Sequence, residues 1–531
     1  MTMKKMSLDV YRDKVMGCWA GKNIGGILGA PFESIRKVVK VDFYQQDLSM
    51  GPPANDDLDL QIISLAAFER YGRNLTASVL GDYWLSYMIP NWVEYGTGKA
   101  NLREGFQPPI SGFLDNTYKD SNGCWIRSEI WACLAPGHPE IATRFAYEDA
   151  VVDHADEGMY GEVFMAALES AAFVESNKFD LIEIALSYIP ETTLLYQSIR
   201  TALRCWTDHV PFQDVRKIIH NTAPGTFGIQ TIKLSEISGE DNEGMAIGTP
   251  GLDCPENIGY VIAAWLYGED DFGKSLCMAN SFGEDTDCTC GSLGAVMGII
   301  TGARNLPKKW TDPVNDRIST MCIDLTSHGI WVPDTVTQLT ERVIRDAFIM
   351  LGNEYYDILA PEGTVVYCQD SKDLYCEKAG EYLRYINGNG KTEKLPMREL
   401  CALSPFCVRY YYPSFAVILD YDGSVSYHYG QLKRIKVRIR NSERMHQQQW
   451  VKITIYLPEG ARSVGGSSVE LPLNNNYLSE ANAEFYIDTD EYQAGRLEGV
   501  IDVSLVGRHS SGSMKFVLVR ESCYPVLEER V

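Results

Sequence analysis

The segment at residues 283–290 carries the side chains best suited to chemistry, reading Gly-Glu-Asp-Thr-Asp-Cys-Thr-Cys before a helix-like run. Asp285 and Asp287 stand two residues apart, with Thr286 and Thr289 beside them. Clustered carboxylate and hydroxyl oxygens are the ligands that Mg²⁺, Ca²⁺ and Mn²⁺ prefer. Because a helix N-cap would explain one aspartate equally well, this segment alone indicates a cation site without requiring one.

A second acidic cluster lies at residues 55–59, where Asn-Asp-Asp-Leu-Asp precedes an apolar run. Adjacent aspartates at a helix start are commonly caps or partners of the helix dipole. That role accounts for one carboxylate, whereas three carboxylates in five residues repel one another unless a cation or proton intervenes. Two such clusters, each heading a helix, predict a centre for two divalent ions that orients hydroxyls and activates a water.

Two series of glycines belong to the helices that must position these clusters. The first recurs at every fourth residue of one helix: Gly17, Gly21, Gly25 and Gly29. The second follows the 283–290 segment: Gly294, Gly298 and Gly302. Glycine in a helix costs about 0.5–1 kcal/mol relative to alanine, so we expect another backbone to approach each series closely. The two helices are predicted to pack face to face, with Pro31 ending the first and Glu33 following it.

A third polar region reads Asn-Gly-Cys-Trp-Ile-Arg over residues 122–127, and His154 follows Asp153 further on. The histidine is equally well explained as a buried hydrogen-bonding residue or as part of a site. Asp149, Asp153 and Glu157 recur at four-residue spacing, which is repulsive on a helix. For Asp149 and Glu157 we predict a solvated acidic face.

The composition excludes several kinds of partner. The chain of 531 residues has a net charge of −23 and a pI near 4.8, which argues against nucleic acid and anionic membranes as partners. No secretory signal and no membrane span is visible. The 14 cysteines are scattered without a C-x-x-C pair, which favours free thiols and a cytoplasmic location.

Periodicity divides the chain into a helical part and a β part. Apolar residues at three- and four-residue spacing predict helices; the clearest are Leu60–Tyr71, Ala142–Glu175, Asp180–Tyr188, Ile258–Tyr267 and Thr335–Leu351. Alternation with period two predicts half-buried strands around residues 435–439, 451–457 and 501–505. We therefore expect a helical domain over 1–351, a connector over 352–400 and a β-sandwich over 401–531.

Taken together, these motifs resemble the ADP-ribosylglycohydrolase family in content and order. The shared features are the glycine-rich helix ending in GAPFE, the NDD cluster, NGCWIR, the DH pair and GEDTDCTCGSLGAVMGIITGA, which together span roughly residues 8–350. The resemblance implies an all-α fold with a binuclear Mg²⁺ site, or a Mn²⁺ site, between helices. The β-sandwich would be an accessory domain outside the minimal family fold.

The family motifs carry over to individual positions of this sequence. The resemblance implies that the metal ligands are Asn55, Asp56, Asp57, Asp285, Asp287 and Cys288, that Glu33 and Asp285 are catalytic, and that Asn122, Gly123, Arg127 and His154 line the substrate. Asn55 and Cys288 stand where the family usually has threonine. Because a thiol is a soft ligand that Mg²⁺ does not favour, one metal position is expected to be weak, empty or filled by Mn²⁺, unless Asp59 compensates.

The preferred hypothesis is a metal-dependent hydrolase of a glycosidic bond to ADP-ribose or a related ribosyl sugar, carried by a small molecule or a protein. One alternative is hydrolysis of a glycan or nucleoside, which the substituted ligands and the 30 tyrosines and 10 tryptophans favour. Another alternative is a non-catalytic protein that binds ADP-ribose or a sugar. The sequence leaves the oligomeric state open.

Overall fold

Two units make up the chain. The computed structural model describes residues 3–35, 37–223, 252–326, 329–376, 396–412, 414–441, 448–474 and 479–521. One unit comprises the described residues of Met1–Lys99, Gly112–Tyr382 and Leu395–Ala402, and the other comprises those of Ala100–Ser111 and Leu403–Val531. No helix of the described residues is long and apolar enough to cross a membrane.

Helices dominate the chain as far as Tyr355. In chain order they are α1 Leu8–Gly29, α2 Asp56–Tyr71, α3 Ala77–Tyr87, α4 Val93–Arg103, α5 Ile110–Phe113, α6 Glu129–Leu134, α7 Pro139–Ala150, α8 Asp156–Ala172, α9 Lys178–Leu186, α10 Leu194–Thr207, α11 Phe212–Thr222, α12 Cys254–Tyr267, α13 Phe272–Ser281, α14 Thr286–Thr301, α15 Lys308–Val314, α16 Val336–Tyr355 and α17 Met397–Cys401. The helical part predicted from periodicity is confirmed, and α2, α9, α12 and α16 begin within four residues of their predicted starts.

The predicted pairing of the two glycine series is confirmed as a contact between α1 and α14. A Cβ atom on Gly17 would lie 2.2 Å from the carbonyl oxygen of Gly298, and one on Gly21 would lie 2.0 Å from that of Gly294. At Gly25 the corresponding distance is 2.0 Å, to the carbonyl oxygen of Cys290. Since no side chain fits at these distances, backbone touches backbone along the length of the pair.

A small antiparallel sheet lies within the helical unit, which the all-α expectation did not include. Its order is β1–β3–β2, from β1 Met3–Ser7, β2 Tyr356–Asp357 and β3 Val365–Gln369. Strands β2 and β3 fall in the stretch predicted as a connector, of which residues 377–395 lie outside the described part of the chain. The sheet joins the N-terminal strand to a segment more than 350 residues away, since Met3 pairs with Gln369.

The second unit contains two five-stranded sheets. Their strands are β4 Cys407–Tyr411, β5 Phe415–Asp420, β6 Ser426–Tyr427, β7 Lys433–Asn441, β8 Gln449–Tyr456, β9 Arg462–Val464, β10 Ser468–Leu473, β11 Glu480–Asp488, β12 Arg496–Leu505 and β13 Ser511–Arg520. The sheet orders are β10–β8–β12–β13–β6 and β4–β5–β7–β11–β9. Along β7, Ile435, Val437 and Ile439 are buried and alternate with half-buried basic residues, so the predicted strands are confirmed.

The long helix predicted over Ala142–Glu175 is wrong in one respect. Two helices, α7 and α8, occupy this stretch, and the chain leaves the helical path between Val151 and Ala155. The predicted acidic face therefore does not exist: Asp149 is fully buried, while Glu157 accepts hydrogen bonds from the backbone of Leu194 and Leu195. Helical spacing misled the prediction because the break places these side chains on different elements.

Candidate metal centre

The N-terminus of α14 is held against the C-terminus of α1. A Cβ on Gly29 would lie 2.2 Å from the carbonyl oxygen of Thr286 and 2.5 Å from the backbone nitrogen of Asp287. The Thr286 hydroxyl donates to the Gly29 carbonyl at 2.9 Å. Just before the helix, Glu284 adopts a left-handed φ of 66° and exchanges backbone hydrogen bonds with Ser34 and Ile35. The start of α14 is thereby fixed next to the segment that carries Glu33.

The start of α2 is fixed by a side-chain cap. Asn55 is the N-cap residue, and its Oδ1 accepts a hydrogen bond from the backbone of Asp57 at 2.8 Å. A Cβ atom added to Gly26 would lie 2.0 Å from Asn55 Nδ2, so the Asn55 side chain packs closely against α1. The predicted ligand Asn55 therefore uses its oxygen to begin the helix, a well-known role of asparagine.

The two acidic clusters meet, as the pairing of the glycine series implies. Two groups of side chains bring their ligand atoms within 4.8 Å of one another: Asp57, Asp287 and Cys288 form the first group, and Glu33, Asp285 and Asp287 form the second. Asp287 belongs to both groups, which are here called the Asp57 group and the Glu33 group. Glu33 is exposed whereas the other members are buried, so the Glu33 group is the one that opens to solvent.

Carboxylate repulsion acts throughout this cluster, although Lys22 offsets it at Asp57. Burial, followed by the charges of Glu33 and Asp285, raises the pKa of Asp287 well above its usual range. Burial, followed by the charge of Asp57, does the same to Asp56. Glu33 is exposed as a residue, but the loss of water around its carboxyl group, together with the nearby aspartates, raises its pKa to about 7. A divalent cation would favour the ionised form of all these groups.

The orphaned oxygens of the cluster fit a hard cation. Asp285 Oδ1 and Asp287 Oδ1 are buried and accept no hydrogen bond from any described residue. Buried polar atoms are almost always satisfied in proteins, and carboxylate oxygens are what Mg²⁺ and Mn²⁺ bind. The Cys288 thiol is the exception, since burial and the aspartates raise its pKa well above its usual range.

Asn122 contacts the cluster directly. Its Nδ2 donates to Asp285 Oδ2 at 2.7 Å, and its Oδ1 accepts from Trp125 Nε1 at 2.8 Å. The amide is thus locked in one orientation and leaves Asp285 Oδ1 free to point elsewhere. Its neighbour Gly123 has no room for a side chain, because a Cβ there would lie 2.1 Å from Glu94 Oε1.

Arg127 and His154, which are predicted to line the substrate, are enclosed by protein. Both are 0% exposed. The Arg127 guanidinium lies 3.0 Å from Asp149 Oδ1 and 2.6 Å from Asp153 Oδ1. His154 Nδ1 lies 3.0 Å from Asp153 Oδ2, and its Nε2 is hydrogen-bonded to Ser121 at 2.8 Å. Through their contacts with Gly123 and Ser121, Arg127 and His154 support the backbone on either side of Asn122.

Two buried charged residues beside the cluster were missed by sequence reasoning. Lys22 and Glu129 form an ion pair of 2.9 Å, and both are almost fully excluded from solvent. The one signal for Lys22 was a lysine within the stretch 15–29 of α1, which otherwise consists of glycine, apolar residues and Asn23. Asp59, which had been expected to compensate as a ligand, accepts backbone hydrogen bonds from Met321 at 2.5 Å and Cys322 at 2.7 Å instead.

The sequence profile of the ADP-ribosylglycohydrolase family matches residues 7–346, and the chain belongs to this family. The family acts on ADP-ribosylated substrates, is generally metal-dependent and consists of glycohydrolases. A solved structure described as an ADP-ribosylglycohydrolase-related protein complex is similar at 17% identity and a TM-score of 0.40, covering 64% of this chain and 98% of that one. No curated protein matches the chain.

Proposed function

We propose that this chain is a glycohydrolase that uses Mg²⁺ or Mn²⁺ to release ADP-ribose, or a related ribosyl sugar, from a small molecule or a protein. The observation that carries the proposal is the convergence of two acidic groups on Asp287. Buried oxygens of Asp285 and Asp287 without a hydrogen-bond donor among the described residues support a cation as their partner.

Each side chain of the site has a separate role in the proposed hydrolysis. A bound divalent ion supplies charge that orients sugar hydroxyls and acidifies water. Glu33, the exposed member of its group, accepts the proton of the water whose oxygen attacks the anomeric carbon. The glycosidic bond breaks as the leaving group takes up a proton from solvent, to which Glu33 later returns the one it accepted. The surrounding carboxylates favour the positive charge that develops on the sugar. Asn122 holds Asp285 in orientation throughout.

The substrate is proposed to lie over the Glu33 group and the 122–123 turn. Asn122 and Gly123 are the members of the predicted substrate set that adjoin the cluster. Arg127 and His154 act through that turn as positioning residues, because Arg127 Nη1 donates to the Gly123 carbonyl at 2.7 Å. Neither guanidinium nor imidazole is exposed for direct contact.

The test is a substrate panel of ADP-ribosyl-arginine, nucleosides and simple furanosides, assayed with Mg²⁺ and with chelator. We expect chelator-sensitive release of ADP-ribose, and a loss of about 10²–10⁴-fold in Glu33→Gln, the range for removal of a general base. Preference for nucleosides or furanosides would favour the alternative enzyme. Tight binding of ADP-ribose without turnover would favour the non-catalytic protein, and no turnover with metal bound would contradict the proposal.

We also propose that the two five-stranded sheets pack face to face as an accessory β-sandwich over residues 401–531. Support comes from strand β11, in which buried and exposed residues alternate, as expected of strands with one face in a core.

A cytoplasmic location agrees with the 13 cysteines that the described residues hold as free thiols.

A further inference from the structure

Lys22 is a fixed positive charge in the interior of the helical unit. It lies on α1 and is 1% exposed. Its Nζ donates to the Ile126 carbonyl at 2.7 Å and to Ser292 Oγ at 3.1 Å, and it lies 3.2 Å from Asp57 Oδ2 and 2.9 Å from Glu129 Oε1. A buried ammonium is costly unless it is paired and hydrogen-bonded, and every partner here is protein.

The path of this side chain to Asp57 depends on Gly291. A Cβ on Gly291 would lie 3.3 Å from Lys22 Cδ and 3.3 Å from Asp57 Oδ2, which is closer than most real contacts of that kind. Glycine on α14 therefore leaves room for a lysine of α1 to reach the start of α2. The Lys22 ammonium therefore lies beside the Asp57 group, 3.2 Å from Asp57 Oδ2.

The Asp57 group is a poor site for a hard cation. It offers two carboxylates and the thiol of Cys288, and a thiol does not suit Mg²⁺. Cys288 Sγ instead points to Asp57 Oδ1 at 3.7 Å. Asp57 Oδ2 has the Lys22 ammonium at an ion-pair distance of 3.2 Å, although it accepts no hydrogen bond from the described residues. The Glu33 group offers three carboxylates and no sulfur.

We propose that the Lys22 ammonium takes the place of one of the two divalent ions, so that the chain holds a single hard cation, at Glu33, Asp285 and Asp287. This inference rests on the metal dependence proposed above and replaces the two ions expected from the sequence. Lys22 acts as a positioning residue: it neutralises and orients Asp57, and leaves Asp287 to the Glu33 group.

The number of bound ions tests this directly. Calorimetric titration of the full chain with Mn²⁺ should give one ion per chain, and the paramagnetic resonance spectrum should be that of an isolated Mn²⁺ ion. The triple variant Lys22→Met, Glu129→Gln, Cys288→Thr removes one positive and one negative buried charge together and replaces the thiol by a hard oxygen ligand. It should bind two Mn²⁺ ions, with a spin-coupled spectrum.

Two further variants, both of which retain Lys22, serve as controls. Lys14→Met removes a half-buried lysine from the same helix, one that donates to the Ile299 carbonyl at 2.9 Å and lies about 12 Å along the axis from Lys22; it should still bind one ion. Cys288→Thr supplies a hard oxygen but retains Lys22, and should also bind one ion even if the triple variant does not fold.

The outcomes separate this inference from the proposed function. Two Mn²⁺ ions in the wild-type protein would overturn the inference and leave the metal-dependent glycohydrolase intact. Two ions in Cys288→Thr, or one ion in the folded triple variant, would show that Lys22 does not exclude the second ion. Folded wild-type protein that binds no Mn²⁺ would contradict the proposed function itself, and the inference with it.

Discussion

Asp287 occupies the point where the two acidic groups join. It lies in the first turn of α14, where a carboxylate gains from the helix dipole, yet it loses more through burial beside other acids, which raises its pKa. Its ionised form is therefore poorly stabilised without a cation. Asp287 is therefore the residue best placed to bind a metal, and its ionised carboxylate destabilises the folded protein when no metal is bound.

Asp287→Asn should separate these two effects. Because it removes the shared ligand, we expect Mn²⁺ affinity and glycohydrolase activity to fall at least about 100-fold, the upper range seen for residues that merely support a ligand. The metal-free variant should unfold at the same temperature as the wild type or higher, since one repelling carboxylate is gone. Asp312→Asn, at an exposed position of α15, is the matched control. Unchanged Mn²⁺ affinity in Asp287→Asn would contradict the site.

Glu140 gives a pH dependence away from the metal centre. It is fully buried at the start of α7. Burial raises its pKa from 4.5 to about 7, although the neighbouring Arg144 lowers it. The folded state thus holds the proton more tightly than the unfolded chain, so the stability from this group is present below pH 4.5 and is lost as the pH rises to about 7.

Glu140→Gln should therefore be more stable than the wild type at pH 8, by roughly 1–3 kcal/mol, and no more stable at pH 4. Urea unfolding at the two pH values measures the difference. Glu354→Gln, at an exposed position of α16, should change neither value. A Glu140→Gln variant that is less stable at pH 8 would mean that the ionised carboxylate is well paired in the folded state.

At the scale of elements, the contact between α1 and α14 sets the geometry of the site. Gly21→Ala would place a methyl group 2.0 Å from the Gly294 carbonyl oxygen, which no rotamer change can relieve. We expect a loss of about 3 kcal/mol or more, at the upper end of overpacking, together with weaker Mn²⁺ binding because the start of α14 shifts. Gly495→Ala, where nothing lies within 4 Å of the added atom, should be neutral by thermal unfolding. Equal stability of the two variants would refute the close contact.

Much of this element-level geometry was predictable from the sequence. A four-residue glycine spacing can be read from the local sequence, and it correctly predicted that α1 packs against α14. The surroundings of Arg127 and His154 were not predictable, because burial of a charged side chain depends on partners such as Asp149 and Asp153 that spacing alone does not locate. Strand β1 was missed for the same reason, since its pairing partner β3 is distant in sequence.

At the scale of the whole molecule, the net charge of −23 includes a concentration of buried acids around one centre. A cation that binds only the folded state stabilises it by RT ln(1 + [L]/Kd), about 2.7 kcal/mol at 100 times Kd. Millimolar Mg²⁺ should therefore raise the melting temperature followed by circular dichroism at helical wavelengths. Na⁺ at matched ionic strength should give a smaller shift. Identical shifts for the two salts would indicate general screening instead of a specific site.

The backbone contact of α1 with α14 also limits how this chain can change during evolution. Glycines four residues apart act as a fixed register, and one inserted or deleted residue between Gly21 and Gly25 would turn the rest of the helix by about 100°. Side chains would then meet the Cys290 carbonyl, and the site would lose its alignment. Descendants of this gene should therefore tolerate insertions in connecting loops while the two helices keep constant length.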